Sequence, residues 1–467
     1  MKAFRFGAAF LMAVASAGIA HAQETAPQQT PPAGQPQDAG QPQDAGQSVL
    51  RVDVTNQAAQ DMVLIIPAMP TAQVTATAAG PTDELGRRLA KVIVDDLGNT
   101  GLFKTLGPDA VGDIAYTEVT APNYANWSAR SAQALVQGYV RANGNGSITV
   151  GCYLYDVALQ SELIRQGFVV SPGDWRRAAH KCADAIYTRL TGEGPYFDSQ
   201  VVYIAEQGPK NRRRKQLAIM DQDGANHRFL TNGQSIVLTP RLSPRQNAIL
   251  YMSYEKNRPS IHIYDLASRS DRTLVSNVSL NFAPHWSPDA RWVIFSMAQA
   301  GNTDIYRVAS SGGDPQRLTT SPGIDTGGSY SPDGSKIVFE SDRGGSQQLY
   351  VMDANGGNQR RISFGGGRYA TPVWSPRGDL IAFTRIGGGA FRIGVMNPSG
   401  GGERLLTNSW GDEGPSWSPN GRVLMFFRAA QGSGRPDLWS VDLTGVNARK
   451  VPTPLDGSDP NWGPLRP

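Results

Sequence analysis

The chain has 467 residues, with 52 glycines and 32 prolines, a composition that favours many turns over long helices. Its 44 basic and 40 acidic side chains leave a formal charge of only +4, which gives no electrostatic reason to expect a nucleic-acid partner. Two cysteines alone do not make a metal site.

Lys2 and Arg5, the apolar stretch 6–19 and the small-x-small triplet Ala20-His21-Ala22 have the layout of a secretory signal, so residues 1–22 are read as an export leader. No cysteine stands at the cut, which argues against a lipid anchor there. No later stretch approaches the ~20 uninterrupted apolar residues of a membrane helix, and the mature chain is expected to be soluble and periplasmic. Residues 23–47 contain a duplication, Gln35-Pro36-Gln37-Asp38-Ala39-Gly40 and then Gln41-Pro42-Gln43-Asp44-Ala45-Gly46. Such a segment has little to bury and reads as a disordered spacer.

Residues 48–194 read as an α/β domain. Leu50, Val52 and Val54 alternate with Arg51 and Asp53, the period of a half-exposed strand, and residues 63–67 form a short apolar strand. A helix follows, with Thr82 as cap, Asp83 and Glu84 in its first turn, a stripe of Leu85, Leu89, Val92, Ile93 and Leu97, and Gly98 past its end. A second helix is expected over residues 127–137, then strands near Tyr139 and at 147–156 and 162–170. A last helix begins near Pro172 and carries Trp175, Ala179, Cys182, Ile186 and Leu190 on one side. Cys152 and Cys182 both fall on apolar faces. Export permits a disulfide between them, and two buried thiols would satisfy the pattern equally.

Residues 195–467 repeat. The anchors are Leu242-Ser243-Pro244-Arg245, Trp286-Ser287-Pro288-Asp289, Tyr330-Ser331-Pro332-Asp333-Gly334, Trp374-Ser375-Pro376-Arg377-Gly378, Trp417-Ser418-Pro419-Asn420-Gly421 and Trp462-Gly463-Pro464. Their spacings are 44, 44, 44, 43 and 45 residues, with several short strands per unit, the signature of a β-propeller. Residues 201–205, 216–221 and 228–231 look like the second to fourth strands of a unit that lacks its first, and 460–462 like a first strand without successors. Joining them gives six blades and a ring closed by the C-terminal strand, with no open sheet edge left over. The basic run 212–215 reads as a solvated turn.

A leader, a small α/β domain and six such blades in that order resemble the TolB family of the periplasmic Tol–Pal system, over roughly residues 48–467. The resemblance implies a monomeric adaptor without a cofactor. Its propeller mouth would bind the lipoprotein Pal, making it peripheral to the outer membrane, and its N-terminal strand would bind TolA, in support of outer-membrane integrity and constriction at cell division. The Pal contacts would fall just before the anchors, on Asn281-Phe282-Ala283, Asp325-Thr326-Gly327, Arg368-Tyr369-Ala370-Thr371, Asp412-Glu413 with Gly414, and Ser458-Asp459. These are expected to precede the innermost strand of each blade; any one of them taken singly is equally an ordinary turn. The TolA segment would comprise Val49, Leu50, Arg51, Val52, Asp53 and Val54, preceded here by the spacer; the same residues also fit a strand of the α/β domain.

Two other readings compete. A propeller-capped hydrolase needs a Gly-x-Ser-x-Gly elbow, which the sequence lacks, and the histidines beyond the leader, His180, His227, His262 and His285, are scattered. A channel that binds a sugar or a metal could draw on Asp325, Asp412, Glu413 and Asp459, although their spacing is not that of a compact calcium loop.

Overall fold

A computed structural model describes residues 50–55, 62–209, 211–245, 247–255, 258–276 and 279–467. The leader, the spacer and Val49 lie outside the described residues. Leu50–Pro467 forms one compact unit.

The α/β domain is built on a five-stranded sheet in the order Phe103–Leu106, Met62–Ile65, Ala134–Ala142, Ile148–Asp156, Ser161–Val170. Met62–Ile65 runs parallel to both neighbours and is apolar throughout, as a strand covered on both faces must be. Helices Thr82–Gly98 and Trp175–Thr191 cover one face, and the predicted stripe from Leu85 to Leu97 is buried against it. Pro81, not Thr82, holds the cap position, and the Thr82 hydroxyl instead accepts from the Thr75 N–H at 3.0 Å.

The helix expected over 127–137 is not there. A short helix, Tyr124–Ser128, ends before Ser131 turns to a φ of 59°, and Ala134–Ala142 is a strand. Ala134, Leu135 and Val136 are fully buried on both sides of the sheet, so their run carries no period that separates strand from helix. Cys152 and Cys182 are joined, with Cα atoms 5.8 Å apart, which ties the strand Ile148–Asp156 to the second helix.

The remainder is a six-bladed propeller, each blade a four-stranded antiparallel sheet. Blades one to five begin with Val237–Leu242, Leu280–Trp286, Asp325–Tyr330, Arg368–Trp374 and Asp412–Trp417. Blade six takes its innermost strand, Asp456–Leu465, from the C-terminus and its other three, Ser199–Gln207, Arg214–Asp221 and Arg228–Phe229, from the start of the array. The anchors earn their residue types. In blade two the Ser287 hydroxyl donates to Asp289 at 2.5 Å and accepts from the Trp292 N–H at 2.9 Å, closing the turn. The indole N–H of Trp286 and that of Trp417 each reach a carbonyl of the preceding blade at 3.0 Å, Arg241 and Val373 respectively. The basic run 212–215 is only partly a solvated turn: Arg213 and Lys215 both grip the buried carboxylate of Glu206, at 2.8 and 2.7 Å.

The two domains share one core. Trp462, Val201, Tyr203 and Phe427 from the propeller belong to the same buried cluster as Leu64, Leu85 and Ile186. Asp184 accepts from the N–H groups of Tyr196, Phe197 and Asp198 at 2.7–3.0 Å, which fixes the chain where it passes between the domains. Beside this joint His180 is fully buried, with Nδ1 at 2.6 Å from Asp96, whose other oxygen accepts from Gln222 at 2.8 Å. Burial alone would lower the imidazole pKa, but Asp96, Asp223 and Asp221 outweigh it and hold the ring protonated.

Replacing both cysteines (Cys152→Ala with Cys182→Ala) opens a closure spanning 30 residues of sequence and is expected to lower unfolding stability by about 3 kcal/mol. Urea unfolding measures this. A reductant should lower the parent by a similar amount and leave the double variant unchanged.

Candidate functional site

The predicted mouth residues lie inside the innermost strands rather than ahead of them, because pairing begins one turn earlier than the anchors suggest. Every one of these strands carries a β-bulge at the same place, where Thr239, Ala283, Gly327, Thr371, Gly414 and Asp459 have φ between 47° and 67°. In five blades a proline follows. A left-handed residue followed by proline breaks the ladder and turns a backbone N–H out of it. Four of these N–H groups are taken by the neighbouring blade: Thr239 by Asp459 (3.2 Å), Gly327 by Ser296 (3.1 Å), Thr371 by Glu340 (2.6 Å) and Gly414 by Thr384 (3.2 Å).

The bulge divides the predicted contact residues into two sets. Asn281, Asp325, Tyr369 and Asp412, two positions before the bulge, are fully buried and turned into their blades. Asp325 is paired with Arg343 at 2.7 Å, Asp412 with Arg428 at 2.6 Å, and Tyr369 with Glu403 at 2.8 Å. Ser458 and Asp459 are also buried; Ser458 donates to Glu206 at 2.5 Å. Phe282, Ala283, Thr326, Gly327, Arg368, Ala370, Thr371 and Glu413 remain part-exposed around the opening. With Asp325 and Asp412 neutralised by arginines, the four-carboxylate channel site imagined from the sequence is not assembled. Burial, and then Asp459, push the Glu413 carboxyl up to about 7.

Sequence reading missed the apolar rim. Ile236, Ile324, Phe364 and Trp410 are 40–71% exposed, each in the connection that leads into an innermost strand. The available signal was a large apolar side chain close before an innermost strand, in a connection rich in Gly, Ser and Thr.

The α/β domain sits at the opposite end of the channel. Its contacts fall in turns that follow first or third strands: Glu193 pairs with Arg377 and, at 3.6 Å, with Arg422; Asn420 and Asn447 donate to the Gly194 and Asn99 carbonyls at 2.7 Å; and Asp223 pairs with Arg176. Because strands alternate in direction, these turns and the starts of the first strands occupy different ends.

Leu50 to Val54 also lies at the α/β end, paired in no sheet and turning at Val54, contrary to the strand expected from its alternation. The Val52 N–H donates to Leu190 O at 2.8 Å, Arg422 donates to Val54 O at 2.9 Å, and Val52 is buried while Arg51 and Asp53 face out. The alternation was real, but its dry side is a domain joint.

One chain of polar groups has the order of a hydrolytic triad: Ser260 Oγ lies 2.8 Å from His262 Nε2, and His262 Nδ1 lies 2.7 Å from Asp271. Ser260 and His262 are buried, and the hydroxyl also reaches Ser253 O on the adjacent strand at 3.4 Å, so the chain straps three strands of blade one together.

Comparison with known proteins agrees with this architecture. A family model described as the TolB beta propeller domain matches residues 187–466, and one described as the TolB amino-terminal domain matches residues 50–163. The chain is 72% identical over 418 residues to the Tol-Pal system protein TolB of Rhizorhabdus wittichii, covering 90% of this chain and 95% of that protein. It is 67% identical to the protein of the same name from Zymomonas mobilis, covering 90% and 91%. It is similar in structure to TolB from Acinetobacter baumannii, with a TM-score of 0.76 at 28% identity over 89% of this chain and 99% of that one.

Glu340 makes the mouth pH-sensitive. Burial pushes its carboxyl up to about 7 despite hydrogen bonds from Thr371, Gln347 and Thr326, so the folded state keeps a proton that the unfolded chain releases near 4.5. The contribution of this one group to stability is therefore greatest on the acid side and is lost as pH rises from about 4.5 through about 7. Glu340→Gln still accepts from the Thr371 N–H and carries no charge. It is expected to match the parent at pH 5 and exceed it at pH 8 by on the order of 2 kcal/mol, measured by thermal unfolding at both values.

Proposed function

The chain belongs to the TolB family, and from that premise we propose that it is the periplasmic adaptor of a Tol–Pal system, binding Pal at the propeller mouth and TolA through its N-terminal segment. The observation that carries this reading is the two-ended layout. One end of the channel presents a ring of part-exposed backbone and side chains bordered by Ile236, Ile324, Phe364 and Trp410. Apolar side chains left in water at the rim of a polar opening are what a docking protein would cover.

At the other end residues 50–54 belong to no sheet; the Val52 N–H bonds Leu190 O, Arg422 bonds Val54 O, and Val52 packs into the shared core. Because its backbone is not committed to a sheet ladder, this segment, once released, can add to the edge of a partner's sheet. This segment sits at the joint, touching both the α/β helix and the propeller. In this role the protein supports outer-membrane integrity and constriction at division by binding rather than by catalysis.

Calorimetric titration with Pal from the same organism tests the mouth. Ala283→Arg combined with Thr326→Arg is expected to weaken binding at least about tenfold, or 1.4 kcal/mol, with an unchanged melting temperature. Undiminished binding by a folded double variant would move the Pal site elsewhere. A chain lacking residues 48–54 should lose TolA and keep Pal; loss of both, or of neither, would remove the second half of the proposal.

A further inference from the structure

Blade four departs from the other blades at one position. Equivalent places in the six third strands carry Gln216, Ser260, Asp304, Gln348, Arg392 and Asp437. Five of these are satisfied within their own blade. Gln216 donates to Thr231 O at 2.9 Å, Ser260 bonds His262, Asp304 takes Arg317 at 2.5 Å, Gln348 accepts from Ser363 at 2.7 Å, and Asp437 pairs with Lys450 at 2.9 Å. Among the described residues the Arg392 side chain has no acceptor, and its Nε is shut away from solvent without a hydrogen bond.

Arg392 also stands directly opposite Arg385 on the neighbouring strand. Like charges in that relation destabilise a sheet, so the pair is a local cost that the rest of the blade does not explain. Arg385 is held by Glu403 and by Gly366 O, both at 3.0 Å, which leaves Arg392 as the uncompensated cation. Both arginines line a cleft of about 390 Å³ whose other walls include Gly366, Gly367, Gly387 and Gly388. Gly388 stands in the turn between the strands of these two arginines at a φ of 59°, a backbone that favours glycine, and a Cβ there would meet nothing within 4 Å. Leu405, 37% exposed, supplies an apolar wall, and the exposed ring of Phe364 lies two residues before Gly366.

We propose that this cleft binds a carboxylate of an acidic peptide segment, gripped by the Arg392 guanidinium with Arg385 beside it. A guanidinium fork matches a carboxylate in shape and charge. Glu403 has already neutralised Arg385, so the site offers about one net positive charge and suits a monoanion better than a doubly charged phosphate. Glycine walls admit a peptide backbone, and Leu405 can cover an apolar neighbour of the acidic residue. The cleft adjoins the mouth through Gly366 and Gly367, which lead into the innermost strand of blade four, and the test below is made without Pal so that it stands apart from that reading.

The test is fluorescence anisotropy of the full chain with a dye-labelled, end-blocked hexapeptide containing Leu-Asp-Asp-Leu, beside its Asn-Asn counterpart and inorganic phosphate as competitor. Saturable binding of the acidic peptide is expected, at least about tenfold weaker for the Asn form and for Arg392→Gln. It should be retained in Arg272→Gln, which removes an arginine on another blade. The melting temperature of Arg392→Gln should be equal to or above that of the parent, because a like-charge contact has been removed. No saturable binding by the parent, equal binding by Arg392→Gln, no preference for the acidic form, or phosphate competing as well as the peptide would each overturn the proposal. A lower melting temperature for Arg392→Gln would assign the arginine a structural role instead.

Discussion

The ladder between Asp456–Leu465 and Ser199–Gln207 joins the last strand of the chain to the first strand of the propeller, and the ring exists only while it holds. Without it blade six would lack its innermost strand, and backbone donors and acceptors of two chain segments would lie open to other edges. The side chains on that ladder also serve the rest of the molecule. Trp462 donates its indole N–H to Ser199 at 2.8 Å and packs on Tyr196, while Ser458 and the basic pair Arg213 and Lys215 converge on Glu206. The α/β domain rests on this same blade through the shared apolar core. Closure of the ring and attachment of the second domain are thus parts of one packed region.

The joint is electrostatically dense. Asp198 takes Arg177, Lys181 and Arg466, and Asp221 takes Arg466, so the C-terminal residues brace the interface as well as closing the sheet. His180 is held as an imidazolium among carboxylates from both domains. Buried charges of this kind are costly to separate, because removing one partner strands the other in an apolar setting. The consequence for function is directional. The α/β domain and the propeller are connected through a joint that resists opening, and the segment at 50–54 borders it, with Val52 in the shared core and no sheet pairing of its own.

The bulge ring shows how one backbone device sorts polar groups. By breaking the ladder at the same place in every innermost strand, it sends the residue two positions earlier into the blade and leaves the bulged residues, except Asp459, part-exposed at the opening. Asp325 and Asp412 are consequently internal parts with arginine partners, although in sequence they look as available as Glu413. The same repeat makes departures visible: Arg392 attracts attention because five equivalent positions are satisfied and it is not.

The amino-acid sequence by itself determined the architecture. Anchor turns 43–45 residues apart, a helix with its acidic first turn and apolar stripe, and an array that starts one strand late and ends one strand over are local patterns, and local patterns are what a one-dimensional reading can see. The tertiary structure decided what those patterns face. The alternation from Leu50 to Val54 fits a sheet or a domain joint equally, because both bury every second side chain; the run 134–136 is buried on both faces and so carries no period. Whether Cys152 meets Cys182, whether an aspartate lines the mouth or pairs with an arginine, and whether Arg392 has an acceptor all depend on residues distant in sequence. Such pairings are set by the packing of whole blades and helices, which no single segment encodes.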